Sequence, residues 1–321
     1  MNDKPTLILG SGTGWSATTP LWYSLQVTNQ FGHCGLVKED RLLKHLSEIN
    51  GYAYWKKHRE QKIDELISHR KEPRRNRSWG KYSKYLQETK EQIRDYFRSD
   101  PNIDTYVNYY KILWENVKHD YKAVMDFSNE LATLPYHFLV GISPVLKQHF
   151  NVKVLIIYRD PVRRHYSEMS SHYRLRSQNK SEMGFDWENR DIKDRFKWRM
   201  INRKYPDSIS YWKSVLDSAY SYVDIYKKWS SVFPTLPIVM EELWSGKTKE
   251  LSEFLDYPIN DLYHNCYYPE QGTKAPRHEL LKDQWISDMQ DLSEEDILYG
   301  RQKLALIYDE WYNEFNTKPW G

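Results

Sequence analysis

The sequence predicts a three-layer αβα fold around a central, mainly parallel sheet of about five strands. Short apolar runs recur at residues 6–9, 35–37, 124–126, 152–158 and 236–240. Helical periodicity fills the gaps between them, at 81–97, 103–117, 130–150 and 208–232. Two of the apolar runs also end in residues suited to holding an anion. Strands that alternate with helices form parallel sheets, because each parallel neighbour needs a long crossover.

The first strand opens almost at once, as Thr6-Leu-Ile-Leu9, and runs into Gly10-Ser-Gly-Thr-Gly-Trp-Ser-Ala-Thr-Thr19. An amphipathic run, Leu21-Trp-Tyr-Ser-Leu25, follows. Strand, glycine-rich turn, hydroxyl residues and helix form the layout of an anion cradle, with Ser16, Thr18 and Thr19 as hydroxyl donors. A Walker loop ends in Gly-Lys-Ser/Thr, and no lysine stands here, which disfavours an ATP or GTP hydrolase. Gly10, Gly12 and Gly14 are spaced by two, unlike a dinucleotide fingerprint.

The most informative stretch is Val154-Leu-Ile-Ile-Tyr-Arg-Asp-Pro-Val-Arg-Arg-His-Tyr-Ser167. A buried strand stops at Arg159, and Pro161 suits the first turn of a helix, where a missing N–H costs nothing. Ser167 follows Arg163 and Arg164 at helical spacing, so the three are expected on one face. Guanidinium and hydroxyl groups at a strand end suit a phosphate-sized dianion. A last helix spans about 294–315, with Ile297, Arg301, Leu304, Ile307, Tyr308 and Trp311 at helical spacing as a core stripe.

Both motifs resemble those of the sulfotransferases that use 3′-phosphoadenosine 5′-phosphosulfate (PAPS). That family carries G-x-G-K/R-S/T-G-T-S/T-x-L for the 5′-phosphosulfate and R-D/N-P-x-x-R-x-x-S for the 3′-phosphate. Residues 12–21 match the first without a gap, and Arg159 to Ser167 match the second at every expected position. The similarity is greater to the glycan-type and bacterial branch than to the cytosolic phenol type. It extends from about residue 6 to residue 277, and it implies the P-loop-like sulfotransferase fold.

The resemblance implies transfer of a sulfuryl group from PAPS to a hydroxyl or amine, with 3′,5′-bisphosphate (PAP) as product. It puts Gly14, Trp15, Ser16, Ala17, Thr18 and Thr19 at the phosphosulfate, and Arg159 and Ser167 at the 3′-phosphate. Lys274 and Arg277, in Gly272-Thr-Lys-Ala-Pro-Arg277, would close over the nucleotide. Glu39, in Val37-Lys38-Glu39, is the expected base, with His33 as runner-up. Asp126 and Ser128 would face the acceptor, while Glu241 and Glu242 would cap or support. The family has Lys or Arg where this chain has Trp15, so Lys38 or Lys274 would supply the cation for the leaving group. Two alternatives follow: a degenerate relative that binds nucleotide or glycan without turnover, and a phosphoryl transferase built on the glycine-rich loop.

A net charge of +3 makes no whole-protein case for nucleic acid. Cys34 and Cys266 lie far apart without metal-ligand spacing, so a reducing compartment and no metal are expected. No long apolar run and no charged–apolar leader appears, which predicts a cytoplasmic protein without a membrane span. A single domain over 1–321 is expected, with a basic helical insertion at about 55–120. Within it, residues 70–84 hold seven Lys/Arg against a single Glu, with Trp79 available to stack on a sugar. The thirteen tryptophans and twenty-six tyrosines suit a carbohydrate acceptor, with a lipid or small phenol left open.

Overall fold

In the computed structural model, which describes residues 4–12, 18–35, 41–48, 95–96, 98–177, 205–216, 221–260, 262 and 292–320, the first apolar run becomes strand β1 (Thr6–Gly12). Helix α1 (Thr18–Tyr23) passes directly into a π-helical turn, Ser24–Thr28, and then into the two-residue strand β2 (Gly32–His33). Helices α2 (Leu42–Leu46) and α3 (Ile103–Val117) precede β3 (Ala123–Asp126). A 3-10 turn, Asn129–Thr133, then leads to α4 (Tyr136–His149) and β4 (Asn151–Tyr158). After β4 come α5 (Pro161–Ser177), α6 (Ser208–Ser214), α7 (Tyr222–Ser230), β5 (Thr235–Val239), α8 (Met240–Trp244) and α9 (Lys249–Leu255). Helices α10 (Glu294–Lys303) and α11 (Ala305–Phe315) close the described chain.

The five strands pair in the order β2-β3-β1-β4-β5, all parallel, as the sequence predicts. Helices cover both faces of this sheet, which makes the fold a three-layer α/β architecture. On one face Ile8, Met125, Leu155, Ile157 and Ile238 pack with Leu21 of α1, Leu243 of α8, and Leu251 and Leu255 of α9. On the other face, α3 supplies Tyr106, whose hydroxyl reaches Asp126, and α4 packs beside α3. The alternation is strict: Asp126 points away from the face on which its neighbours Met125 and Phe127 lie.

Several boundaries differ from the expected ones. β1 runs three residues beyond Leu9 because its ladder with β4 continues to the Gly12–Ile157 pair. Gly10 within it is a packing requirement, since a Cβ there would come within 2.5 Å of the Phe127 ring. A strand described in this region lies at Gly32–His33, and Gly35, the first residue of the expected 35–37, is left-handed, while 36–37 lie outside the described residues. The helix expected over 130–150 is broken at Leu134–Pro135, with Pro135 at the N-cap of α4. The last helix is likewise divided at Leu304.

The chain groups into two compact units, Met1–Tyr158 with Asp224–Ala275, and Arg159–Val223 with Pro276–Gly321. The first holds the whole sheet. The second is built on α5: Tyr166 stands edge-on to Trp212 of α6, with ring centroids 5.6 Å apart, and α10 packs against α5's first turn. Gly300 makes that approach possible, because a Cβ would meet Val162 at 2.9 Å. Among the described residues no helix is long and apolar enough to cross a membrane. Most of the expected insertion, including 70–84, lies outside the described residues, although α3 falls within it.

Candidate functional site

Within the first unit, the chain leaving β1 passes over one face of the sheet and the chain leaving β3 over the other. The carboxyl ends of these neighbouring strands therefore form a topological switch point, the usual ligand position in an open α/β sheet. β1 ends there at Gly12, and α1 starts at Thr18. The Thr18 hydroxyl donates to Asn129 Oδ1 at 2.7 Å, which ties α1 to the turn after β3.

Asp126, the last residue of β3, is fully buried and closely bonded. Its Oδ1 accepts from the Ser128 backbone N–H (3.1 Å) and the Ser128 hydroxyl (2.5 Å), and its Oδ2 from the Tyr106 hydroxyl (3.0 Å). Ser128 Oγ in turn accepts from the Arg41 N–H at 3.0 Å, and the Arg41 guanidinium pairs with Glu130 at 3.2 Å. Beside this network the buried hydroxyl of Ser11 has no hydrogen-bond partner. Asp126 and Ser128 thus stand bonded together at the carboxyl end of β3. Tyr106 and Arg41 bond to them and Asn129 follows Ser128, and no sequence signal singled these three out.

His33 lies on β2, buried, with Nδ1 accepting from the Gly35 N–H at 3.0 Å and its ring edge-on to Tyr121. Burial pushes its pKa down to about 4. A neutral imidazole held this way supports the end of β2 and is poorly placed to exchange protons with a substrate. Gly14, Trp15, Ser16, Ala17, Lys38, Glu39, Lys274 and Arg277 lie outside the described residues. Thr19 follows Thr18 in α1. Glu241 and Glu242 stand in the first turn of α8, where carboxylates favour the helix, and Glu242 also pairs with Lys247 at 2.8 Å.

The second motif forms the start of the second unit. Asp160 caps α5, its Oδ1 accepting from the Arg163 N–H at 3.0 Å. Its Oδ2 accepts from the Tyr308 hydroxyl at 3.3 Å and lies 4.0 Å from Arg301 Nη2. The Arg159 carbonyl accepts from the Tyr222 hydroxyl at 2.9 Å. Burial, and then the Asp160 charge, push the Tyr308 phenol well above the usual tyrosine range. Arg159 and Ser167 are both buried polar residues on this strand-to-helix segment.

The expected shared face of Arg163, Arg164 and Ser167 is only partly formed. Arg163 is exposed, whereas Arg164 is buried and pairs with Glu168 one turn on at 2.9 Å. Its neighbour His165 is buried and held down to about 4, by burial first and then by the Arg164 charge. Among the described residues no group of three or more His, Cys, Asp or Glu side chains is arranged to hold a metal ion. Comparison of the chain with protein-family models and with curated protein sequences finds no match.

Proposed function

We infer that this chain is a sulfotransferase that moves a sulfuryl group from PAPS to a hydroxyl or amine of an acceptor. The observation that carries the reading is the segment Arg159 to Ser167. Its arginine and serine are buried polar groups on a turn whose one carboxylate, Asp160, is already engaged by a backbone N–H, a phenol and a guanidinium. That engagement offsets the charge that would otherwise repel a phosphate, so the residues present fit the nucleotide's 3′-phosphate. The switch-point position of the glycine-rich segment between Gly12 and Thr18 supports the same reading in the first unit.

PAPS supplies an activated sulfuryl group on a phosphate leaving group. Arg159 and Ser167 bind the 3′-phosphate by charge-assisted and hydroxyl hydrogen bonds. Gly14, Trp15, Ser16, Ala17, Thr18 and Thr19 line the phosphosulfate. Because the Thr18 proton already goes to Asn129, an oxygen of the donor competes with that amide for it. Lys274 and Arg277 add positive charge, and Lys274 or Lys38 takes the role the family gives to the cation replaced by Trp15. Glu39 holds the acceptor's proton, and Asp126 with Ser128 fixes the floor on which the acceptor rests.

Calorimetric titration with adenosine 3′,5′-bisphosphate, with 5′-AMP as control, tests this reading. Binding that requires the 3′-phosphate, and that weakens at least about tenfold in Arg159→Ala, is the expected result. Binding of both nucleotides alike, or of neither, overturns it. A second reading rests on Trp15: a relative that binds the nucleotide without turnover. Full binding without sulfuryl transfer from labelled PAPS, with turnover appearing in Trp15→Lys, supports that alternative.

A further inference from the structure

Trp320 stands where the chain beyond α11 folds back on that helix. Asn316 turns it in the left-handed conformation, with φ 51°, and the Thr317 hydroxyl oxygen accepts from the Trp311 indole N–H at 3.2 Å. Residues 316–318 are exposed, yet Trp320 is buried. Its indole lies against three aromatic rings. The Trp311 centroid is 4.9 Å away, and Tyr308 and Tyr222 stand edge-on at 6.0 and 6.1 Å. Edge-to-face pairs favour one relative orientation of the rings, so the indole fixes both phenols.

Both tyrosines end on the turn between β4 and α5. Tyr222 donates to the Arg159 carbonyl at 2.9 Å, and Tyr308 to the Asp160 carboxylate at 3.3 Å. Arg301 makes a third link, since its Nη2 donates to the Trp320 carbonyl at 2.8 Å and lies 4.0 Å from Asp160 Oδ2. Three routes from one tryptophan thus converge on two consecutive residues, and every member of them belongs to the second unit. None of these groups has to touch a ligand to affect its binding. A guanidinium fork meets a phosphate in a fixed geometry, and a displacement of about 1 Å at such a site costs up to about a hundredfold.

We propose that Trp320 is a positioning residue for the anion site of Arg159 and Ser167. Seated against Tyr222, Tyr308 and Trp311, it holds the turn that carries Arg159, so anion binding there and seating of the indole favour each other. Such coupling is reciprocal, and each event strengthens the other by the same factor. That the anion is the nucleotide's 3′-phosphate rests on the sulfotransferase reading, whereas the coupling of Trp320 to the turn does not.

Calorimetry and hydrogen exchange on the full-length chain, with adenosine 3′,5′-bisphosphate as probe, test the coupling. The nucleotide is expected to slow exchange both at residues 159–164 and at α11 with Trp320. Trp320→Leu keeps an apolar side chain but no ring. It is expected to weaken binding about tenfold or more, and to speed exchange at 159–164 without nucleotide. Trp320→Phe is expected to recover most of both. Tyr222→Phe keeps the ring against the indole and removes the bond to Arg159, so it is expected to weaken binding as well. Combined with Trp320→Leu it is expected to add much less than it costs alone, because both act through one turn. Full additivity, or a Trp320→Phe variant as weak as Trp320→Leu, overturns the positioning role. Should Trp320→Leu not fold, protection of Trp320 by nucleotide in the wild type and its loss in Tyr222→Phe decide the matter. If the nucleotide binds while the Trp320 variants leave affinity and exchange at 159–164 unchanged, only the positioning role fails. If the wild type binds no nucleotide while Trp320→Leu still speeds that exchange and Trp320→Phe restores it, the sulfotransferase reading fails and the coupling stands.

Discussion

Asp126 and Asp160 are two buried aspartates near strand ends, one the last residue of β3 and the other two residues past the Tyr158 that ends β4. Asp126 accepts hydrogen bonds from close by in the chain, from the Ser128 amide and hydroxyl, and from Tyr106 twenty residues upstream. Asp160 accepts a local bond from Arg163, and recruits Tyr308 and Arg301 from α11 and α10, 148 and 141 residues away along the chain. The described donors to the first are neutral, and they join α3 and the turn after β3 to the end of that strand. The second depends on the C-terminal helices to complete it, so its turn and those helices are expected to gain and lose order together.

Replacing Asp126 is the sharpest way to break that contrast. Asp126→Ala leaves a phenol, a hydroxyl and an amide buried without their acceptor, and is expected to lower unfolding free energy by about 3–4 kcal/mol in urea titrations. Adding Tyr106→Phe is expected to cost much less than its single-mutant value, since both remove one shared network. Asp160→Ala is expected to cost about 2–3 kcal/mol, from the lost cap and the stranded Tyr308 hydroxyl. Hydrogen exchange in α10 and α11 is expected to rise with it, and unchanged protection there would refute the dependence on distant helices.

Acid probes both units together. His33 and His165 are held neutral down to about pH 4, against an ordinary 6.5. The unfolded chain therefore takes up protons that the folded chain refuses, and stability falls as pH drops through this window. For His33 the loss between pH 6.5 and 5 is roughly 2 kcal/mol. His33→Gln is expected to flatten that part of the urea-midpoint profile. The smallest effect belongs to Ser293, which forms a reciprocal capping box with Asp296 at the start of α10. Ser293→Ala is expected to cost about 1 kcal/mol in the same assay.

The parts of the site that could be read from the chain are those whose chemistry is contiguous. Arg159, Asp160, Pro161 and Ser167 fall in one stretch in which an apolar run, a cap and a helix start follow one another, and the structure keeps that order. β2 at Gly32–His33 is not legible in the sequence because a two-residue edge strand has no period to detect. The division of the last helix at Leu304 was hidden because helical spacing runs straight through it. Lys228 carried no signal at all, since the carbonyl its ammonium meets lies on a turn 96 residues earlier.

Local chemistry thus set the element types, the parallel class of the sheet, and the strand-to-helix turn at Arg159, because periodicity, proline and capping act over a few residues. Strand order, the switch point beside Asp126, the pairing of Tyr308 with Asp160, and the bond from Lys228 to the Ala132 carbonyl came from tertiary packing. Those contacts join residues tens to more than a hundred positions apart, and burial of apolar faces within each unit decides which of them meet.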